Sequence, residues 1–206
     1  MPLKSRHPST PARKVRTGGR SARVRQAVLD AAYKALLDDG YGKLSIGAVA
    51  AAAGVHETSI YRRWGTKGAL VMDACLAKAA DAIPTPDTGS VRSDLRKLLG
   101  QVVRLLQSPD GRALGSAVLA ARDHSDFRSF SHQFWSRRFA LAQAIFERAA
   151  KRGEIRGGLD VNVLLEMLIG PLYFRALLSG EPLSTRFTRQ LVDLLLQGLQ
   201  HQPRSS

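Results

Sequence analysis

The stretch Ser45-Ile46-Gly47-Ala48-Val49-Ala50-Ala51-Ala52-Ala53-Gly54-Val55-His56-Glu57-Thr58-Ser59-Ile60-Tyr61-Arg62-Arg63-Trp64-Gly65-Thr66-Lys67-Gly68-Ala69-Leu70 decides the fold. Ser45 stands directly before an apolar run, where a hydroxyl caps the free N–H groups of a first helical turn. A short helix is expected from Ile46 to Ala53. Gly54 supplies the positive φ that ends it. A second short helix is expected from about Glu57 to Trp64, stopped by Gly65. The first helix consists largely of Gly and Ala, so a neighbour can approach closely. The second shows His56, Glu57, Thr58, Ser59, Tyr61, Arg62 and Arg63 to solvent, while Val55 and Ile60 plug the core. Two compact helices, a glycine turn and a polar, cationic second helix are what a DNA-reading helix-turn-helix requires.

Working outward, the 3.6 period persists. Val24, Val28, Ala31 and Ala35 mark one face of a helix from about Ser21 to a stop at Gly40. Lys67 to Asp81 is a fourth helix with Leu70, Val71, Ala74 and Cys75 on one side. Ile83-Pro84-Thr85-Pro86-Asp87 breaks the pattern. Beyond it come helices carrying Val91 to Leu105, Leu114 to Ala121, and a long one from Asp126 to Lys151. The long helix has one stripe of Phe127, Phe130, Phe134, Leu141 and Ile145 and a second of Trp135, Phe139, Ala142 and Phe146. Two more run from Asp160 to Ser179, with Pro171 expected to kink it, and from about Thr185 to Gln200. No strand alternation or hairpin signal occurs. The expectation is an all-α chain of about nine helices. It divides into a basic arm 1–19, a helix-turn-helix unit 20–82 and a helical unit 83–206.

Charge agrees with a polyanionic partner and places it. The 206 residues carry 31 Lys and Arg against 17 Asp and Glu, a net charge of +14. Eight of the bases and no acid fall in the first 25 residues, whereas residues 26–82 hold six of each. The arm therefore adds phosphate attraction, and the helix-turn-helix relies on placement rather than net charge. A solvated tail without a specific role is the alternative for the arm. Hydrophobic residues at 44% suffice for a core. The lone Cys75 excludes an internal disulfide and a cysteine zinc site. His56, His124 and His132 form no ligand cluster, and no phosphate loop or nucleophile–base signature occurs, so neither metal, cofactor nor catalytic residues are expected. The basic N-terminus lacks the apolar region of a secretory signal, and Glu166 and Arg175 cut the most apolar stretch, Val161 to Leu178. The reading is a soluble cytoplasmic protein with no membrane partner.

The motif Gly54-Val55, a polar stretch, Ile60, Tyr61-Arg62-Arg63-Trp64, Lys67 and Leu70, with Gly40-Tyr41 before it, resembles the TetR family of transcriptional regulators. Gly170 to Leu183 resembles the penultimate helix and following loop of a common subgroup of that family. The resemblance implies a homodimeric regulator, by default a repressor, that a small molecule releases from double-stranded operator DNA. It implies that Tyr61 touches backbone phosphate, that Lys67 clamps one, and that the Ser45 hydroxyl meets another. His56, Glu57, Thr58, Ser59 and Arg62 match exposed recognition-helix positions. By its own chemistry Arg62 can clamp phosphate or read guanine in a bidentate fork, and Glu57 can accept from cytosine N4. Trp64 is expected to pack under Leu70.

The resemblance further implies an effector cavity and a dimer seam in the second half. Leu119, Arg122, Phe130, Phe134, Trp135, Met167 and Tyr173 are candidate cavity residues, with ordinary core packing as the alternative for each. Leu164, Leu168, Leu172, Leu191, Leu194, Leu195 and Leu199 are candidates for a four-helix seam between two chains. Other readings are a helical enzyme or small-molecule carrier whose basic arm is incidental, and an architectural DNA binder without sequence preference.

Overall fold

A computed structural model describes residues 19–121 and 125–200. Most of the basic arm, together with Arg122 and His124, lies outside the described residues. Nine α-helices are described: α1 Gly19–Lys43, α2 Ile46–Ala53, α3 Glu57–Trp64, α4 Lys67–Ala82, α5 Val91–Gln107, α6 Pro109–Ala121, α7 Ser125–Lys151, α8 Val161–Phe174 and α9 Thr185–Gln200. Gly40 breaks the regular helix as expected, with φ 74° and ψ 166°, and a further turn beyond the kink carries α1 as far as Lys43. The caps read from sequence are in place. Ser45 Oγ accepts from the Ala48 N–H at 3.1 Å, and Gly54 adopts the left-handed conformation at φ 66°. Thr66 Oγ1 caps α4 by accepting from the Ala69 N–H.

Two apolar clusters organise the chain. The first gathers Val28, Leu29, Leu36, Val49, Ile60, Leu70 and Val71 from α1 to α4. It does not stop at residue 82, because Ala117, Phe127 and Phe130 of α6 and α7 join it. The second gathers Leu95, Leu99, Ile145, Phe146, Leu165, Leu168, Leu172 and Val192 from α5, α7, α8 and α9. Each fully buried Leu contributes about 1.5–3 kcal/mol of transfer free energy. The seams between the halves are α1 against α6 and α4 against α7.

Helix α8 departs from expectation in two ways. It ends at Phe174 and continues as a π-helical turn, Arg175–Ser179, in which the Gly180 N–H reaches the Arg175 carbonyl at 3.0 Å. Such widened turns are uncommon and cluster at functional sites. The turn presses Leu177 onto α6: a Cβ added at Gly115 would stand 2.6 Å from Leu177 Cδ2. By length and apolarity Val161–Ser179 does match a membrane-spanning segment, contrary to the sequence reading. However, Leu164, Leu165, Leu168, Ile169 and Leu172 are buried in the protein. On α7 one member of the two expected stripes departs: Leu141 is exposed, whereas Phe127, Phe130, Ala142, Ile145 and Phe146 are buried, and Ala149 is buried with them.

Candidate DNA-reading face and effector cavity

Helix α3 is held from beneath. Ile60 is buried, and Trp64, packed at the edge of the first cluster, donates its indole N–H to Asp73 Oδ2 at 3.0 Å. Arg25 of α1 donates to the same oxygen at 2.7 Å. Asp73 of α4 thus ties together the first, third and fourth helices. Burial alone would raise its pKa, but the indole N–H and the Arg25 guanidinium outweigh that and hold the carboxyl below the ordinary carboxylate range. Arg25 and Asp73 were not among the residues singled out from sequence, since their pairing spans 48 positions.

The outward face carries the expected residues with distinct commitments. Ser45, His56, Thr58, Tyr61, Arg62 and Arg63 are exposed, Tyr61 by 50%. Arg62 and Arg63 form no ion pair with another described residue, and Arg63 lies over the Trp64 ring at 5.4 Å. Ser59 is half-buried. Glu57 is exposed, but its carboxylate lies over the first turn of α2: a Cβ at Gly47 would stand 2.9 Å from its Oε1. There the anion meets the positive end of the α2 dipole. Lys67 is already engaged, its ammonium donating to the Tyr41 carbonyl at 3.0 Å and the Gly42 carbonyl at 3.5 Å while lying 4.7 Å above the Tyr41 ring.

A cavity of about 120 Å³ opens between the two halves. Tyr33 of α1 and Cys75, Lys78 and Ala79 of α4 wall one side. Leu98, Leu106, Gly111, Gly115, Ser131, Arg138, Ile169 and Leu177 are among those on the other. Of the residues expected there, Phe130, Phe134, Trp135 and Tyr173 line it. Leu119 does not, being 42% exposed, and Met167, 57% exposed, faces away. Arg122 lies outside the described residues. A chain of aromatic contacts crosses the wall: Phe130–Phe134 at 6.3 Å, Phe134–Trp135 edge-to-face at 5.4 Å and Trp135–Tyr173 edge-to-face at 5.4 Å. Burial pushes the Cys75 thiol up to about 12, and pushes the Tyr173 phenol up to about 12 against the opposing pull of Arg138. Lys78 is neutralised by Asp30 at 2.6 Å. Arg138 and Lys78 were missed from sequence. The signal for Arg138 was there, as it interrupts the stripe of Phe127, Phe130 and Phe134 one turn further on.

The expected seam residues divide. Leu164, Leu168, Leu172 and Leu195 point into the second cluster and are buried within one chain, so they cannot supply an outer face. Leu191 and Leu199 are half-buried at its edge. Leu194 is 66% exposed. The exposed apolar side chains of α8 and its π turn are Val163, Met167, Phe174 and Leu178, recurring at helical spacing. These four were not chosen from sequence, because leucine periodicity alone does not tell an inner stripe from an outer one.

A short helix pair joined by a glycine turn, with arginines that form no ion pair among the described residues, and beside it a helical unit with a largely apolar cavity, define a helix-turn-helix DNA-binding regulator with a sensing half. Residues 28–74 match the model for bacterial regulatory proteins of the tetR family, and residues 85–195 match the tetracyclin repressor-like C-terminal domain. The chain is 33% identical to the HTH-type transcriptional regulator AqdR of Rhodococcus erythropolis over 87% of its length and 86% of that protein. It is 31% identical to the DNA-binding transcriptional repressor TetR of Mycobacteroides abscessus, over 82% of this chain and 90% of that one. The solved structure of the TetR family transcription regulator SCO0332 is 36% identical and superposes with a TM-score of 0.72, covering 85% of this chain and 98% of that one. The chain belongs to the TetR family of transcriptional regulators.

Proposed function

We propose that the protein is a homodimeric, non-enzymatic repressor that reads a pseudo-palindromic operator with α3 and is released when a small molecule fills the cavity between its halves. The observation that carries the reading is the exposed, ion-pair-free Arg62 and Arg63 beside Thr58 and Tyr61 on a helix anchored from beneath by Ile60 and Trp64. Arg62, Thr58 and His56 face the bases. Tyr61, Arg63 and the Ser45 hydroxyl meet phosphates. Lys67 uses two ammonium protons to fasten the end of α1 and offers the third to phosphate. Glu57, its carboxylate over the first turn of α2, orders that helix instead of reading cytosine. The N-terminal arm adds attraction without sequence preference.

The dimer seam is the outer stripe Val163, Met167, Phe174 and Leu178 with Leu194, bordered by Leu191 and Leu199. A row of five large apolar side chains, each at least 47% exposed, is the kind of face a partner copy covers. A ligand in the cavity touches α1 and α4 on one side and α5 to α8 on the other. Any preference it has for one arrangement of the halves changes operator affinity, and the operator changes ligand affinity by the same factor. The intracellular location follows from the partner being genomic DNA.

Selection of bound fragments from a random DNA pool tests this reading. Enrichment of a palindrome with half-sites about 34–36 Å apart, or somewhat more, supports it. Binding without an enriched sequence would make the protein an architectural DNA binder. No binding to DNA at all would favour the carrier reading.

A further inference from the structure

One cation lining the cavity has no neutralising partner among the described residues. Arg138 of α7 lines it, and its guanidinium donates to the Ile83 carbonyl at 3.0 Å. No carboxylate among the described residues pairs with it. The contrast with the second lining cation is sharp, since Lys78 is bonded to Asp30 and lies over the Tyr33 ring. A guanidinium has five N–H donors in a planar fork, and one carbonyl leaves most of them unused. Desolvation already lowers the Arg138 pKa, so its charge is held at a cost that an anion would remove. The Tyr173 hydroxyl, on the same wall, makes no hydrogen bond with a described residue. The remaining surface is aromatic and aliphatic, with Phe134 and Trp135 already meeting edge-to-face.

Size restricts the occupant as well. An apolar cavity of about 150 Å³ accepts benzene. At about 120 Å³ this one takes a single ring as it stands, and more only if its walls give. From the unpaired guanidinium, the free phenol and the aromatic walls, we propose that the effector is a small aryl carboxylate, its carboxylate on Arg138 and Tyr173 and its ring against Phe134 and Trp135. This rests on the cavity being the effector site. Lys78 does not take the anion, because Asp30 already occupies it.

Trp135 provides the readout. Fluorescence titration of the full-length protein with benzoate and 4-methylbenzoate, and with the neutral benzamide and 4-methylbenzamide, separates charge from shape. The carboxylates should bind about 10-fold or more tightly than their amides, the margin a charge-assisted pair supplies over a neutral one. Arg138→Gln should reduce that preference to about 2-fold or less, the acids losing far more affinity than the amides. Tyr173→Phe should reduce it by a smaller factor, about 3-fold. Equal binding of acids and amides, a preference that survives Arg138→Gln, or no binding of any acid up to about 10 mM would each overturn the proposal. Should acids bind through Arg138 yet leave operator affinity untouched, the ligand class stands and the effector role of the cavity falls.

Discussion

The head, α1 to α4, and the cavity half, α5 to α9, hold their proposed functional chemistry in opposite places. In the head it sits outside: Tyr61, Arg62 and Arg63 are exposed on one helix of eight residues. In the second half it sits inside, on residues of α5 to α8 that meet α1 and α4 of the head around one space. An outward, local site needs a scaffold that holds it still, and Asp73, Trp64, Ile60 and the caps of α2 and α4 supply that. An inward, assembled site needs a scaffold that can rearrange, and the π turn of Arg175–Ser179 and the tight α5–α6 corner are where packing is least ordinary. Damage to the exposed face of α3 should therefore change DNA specificity with little effect on stability, while damage to the second half should change stability, assembly and response.

The largest test of that division is assembly. Met167→Glu combined with Phe174→Glu places two carboxylates in the proposed seam, and both positions are exposed in the single chain. Sedimentation equilibrium should show folded monomer, and operator affinity should fall by about 100-fold or more, because apolar interface anchors are commonly worth about 2 kcal/mol or more each. A dimer that persists would move the seam elsewhere. The next effect is on stability. At Gly111 an added Cβ would stand 1.8 Å from the Leu105 carbonyl oxygen, so Gly111→Ala must push the α5–α6 corner apart. A loss of about 3 kcal/mol and a drop in Tm of roughly 6–12 °C are expected by calorimetry.

In the head the effects are smaller and of another kind. Arg62→Ala should cost about 1–3 kcal/mol at the cognate operator and relax preference at one base pair. Lys67→Ala should weaken cognate and unrelated DNA alike and lower the salt slope by about 1. An unchanged salt slope would reduce Lys67 to a tie between α4 and the end of α1. Acid sensitivity is smaller again. The Lys78 ammonium holds Asp30 below the ordinary carboxylate range, and the Val91 N–H and then Arg152 do the same for Glu154. Asp73 is likewise depressed. Folded-state pKa values below the unfolded ones give stability that is complete above the unfolded pKa, about 4, and is lost as pH falls through the folded values. Thermal melts should therefore be flat from pH 7 to 5 and fall below about pH 4, with Asp73→Asn flattening part of the fall. The smallest effect expected is the reaction of Cys75 with a thiol reagent at pH 8. Its thiol, buried at the cavity wall and pushed up to about 12, should react only as fast as the protein opens.

The same contrast governs what the sequence disclosed. Caps, glycine stops and the polar face of α3 are local, so Ser45, Gly54, Ile60 and the exposed arginines could be read one residue at a time. Which neighbour a side chain meets is not local. Glu57 reads as a base contact until Gly47 leaves room for it over α2, and Lys67 reads as a free cation until the kink at Gly40 brings the Tyr41 and Gly42 carbonyls beneath it. In the second half, a leucine period fixes that α8 and α9 are amphipathic but not which stripe faces the core. Leu164, Leu168, Leu172 and Leu195 went inward, and Val163, Met167 and Phe174 were left outside. Arg138 was visible only as an interruption of an aromatic stripe, and its meaning depends on α4, α5 and α8 closing around it.

The central claim is that sequence discrimination resides on the exposed face of α3. The direct measurement is the ratio of affinities for the selected operator and for scrambled DNA, at one salt concentration, in wild type and in His56→Ala/Thr58→Ala/Arg62→Ala. The wild-type ratio should be about 10³ or more. The triple variant, dimeric and of unchanged helicity, should bring it to within a few-fold of one while still binding scrambled DNA. A triple variant that keeps the wild-type ratio would contradict the account.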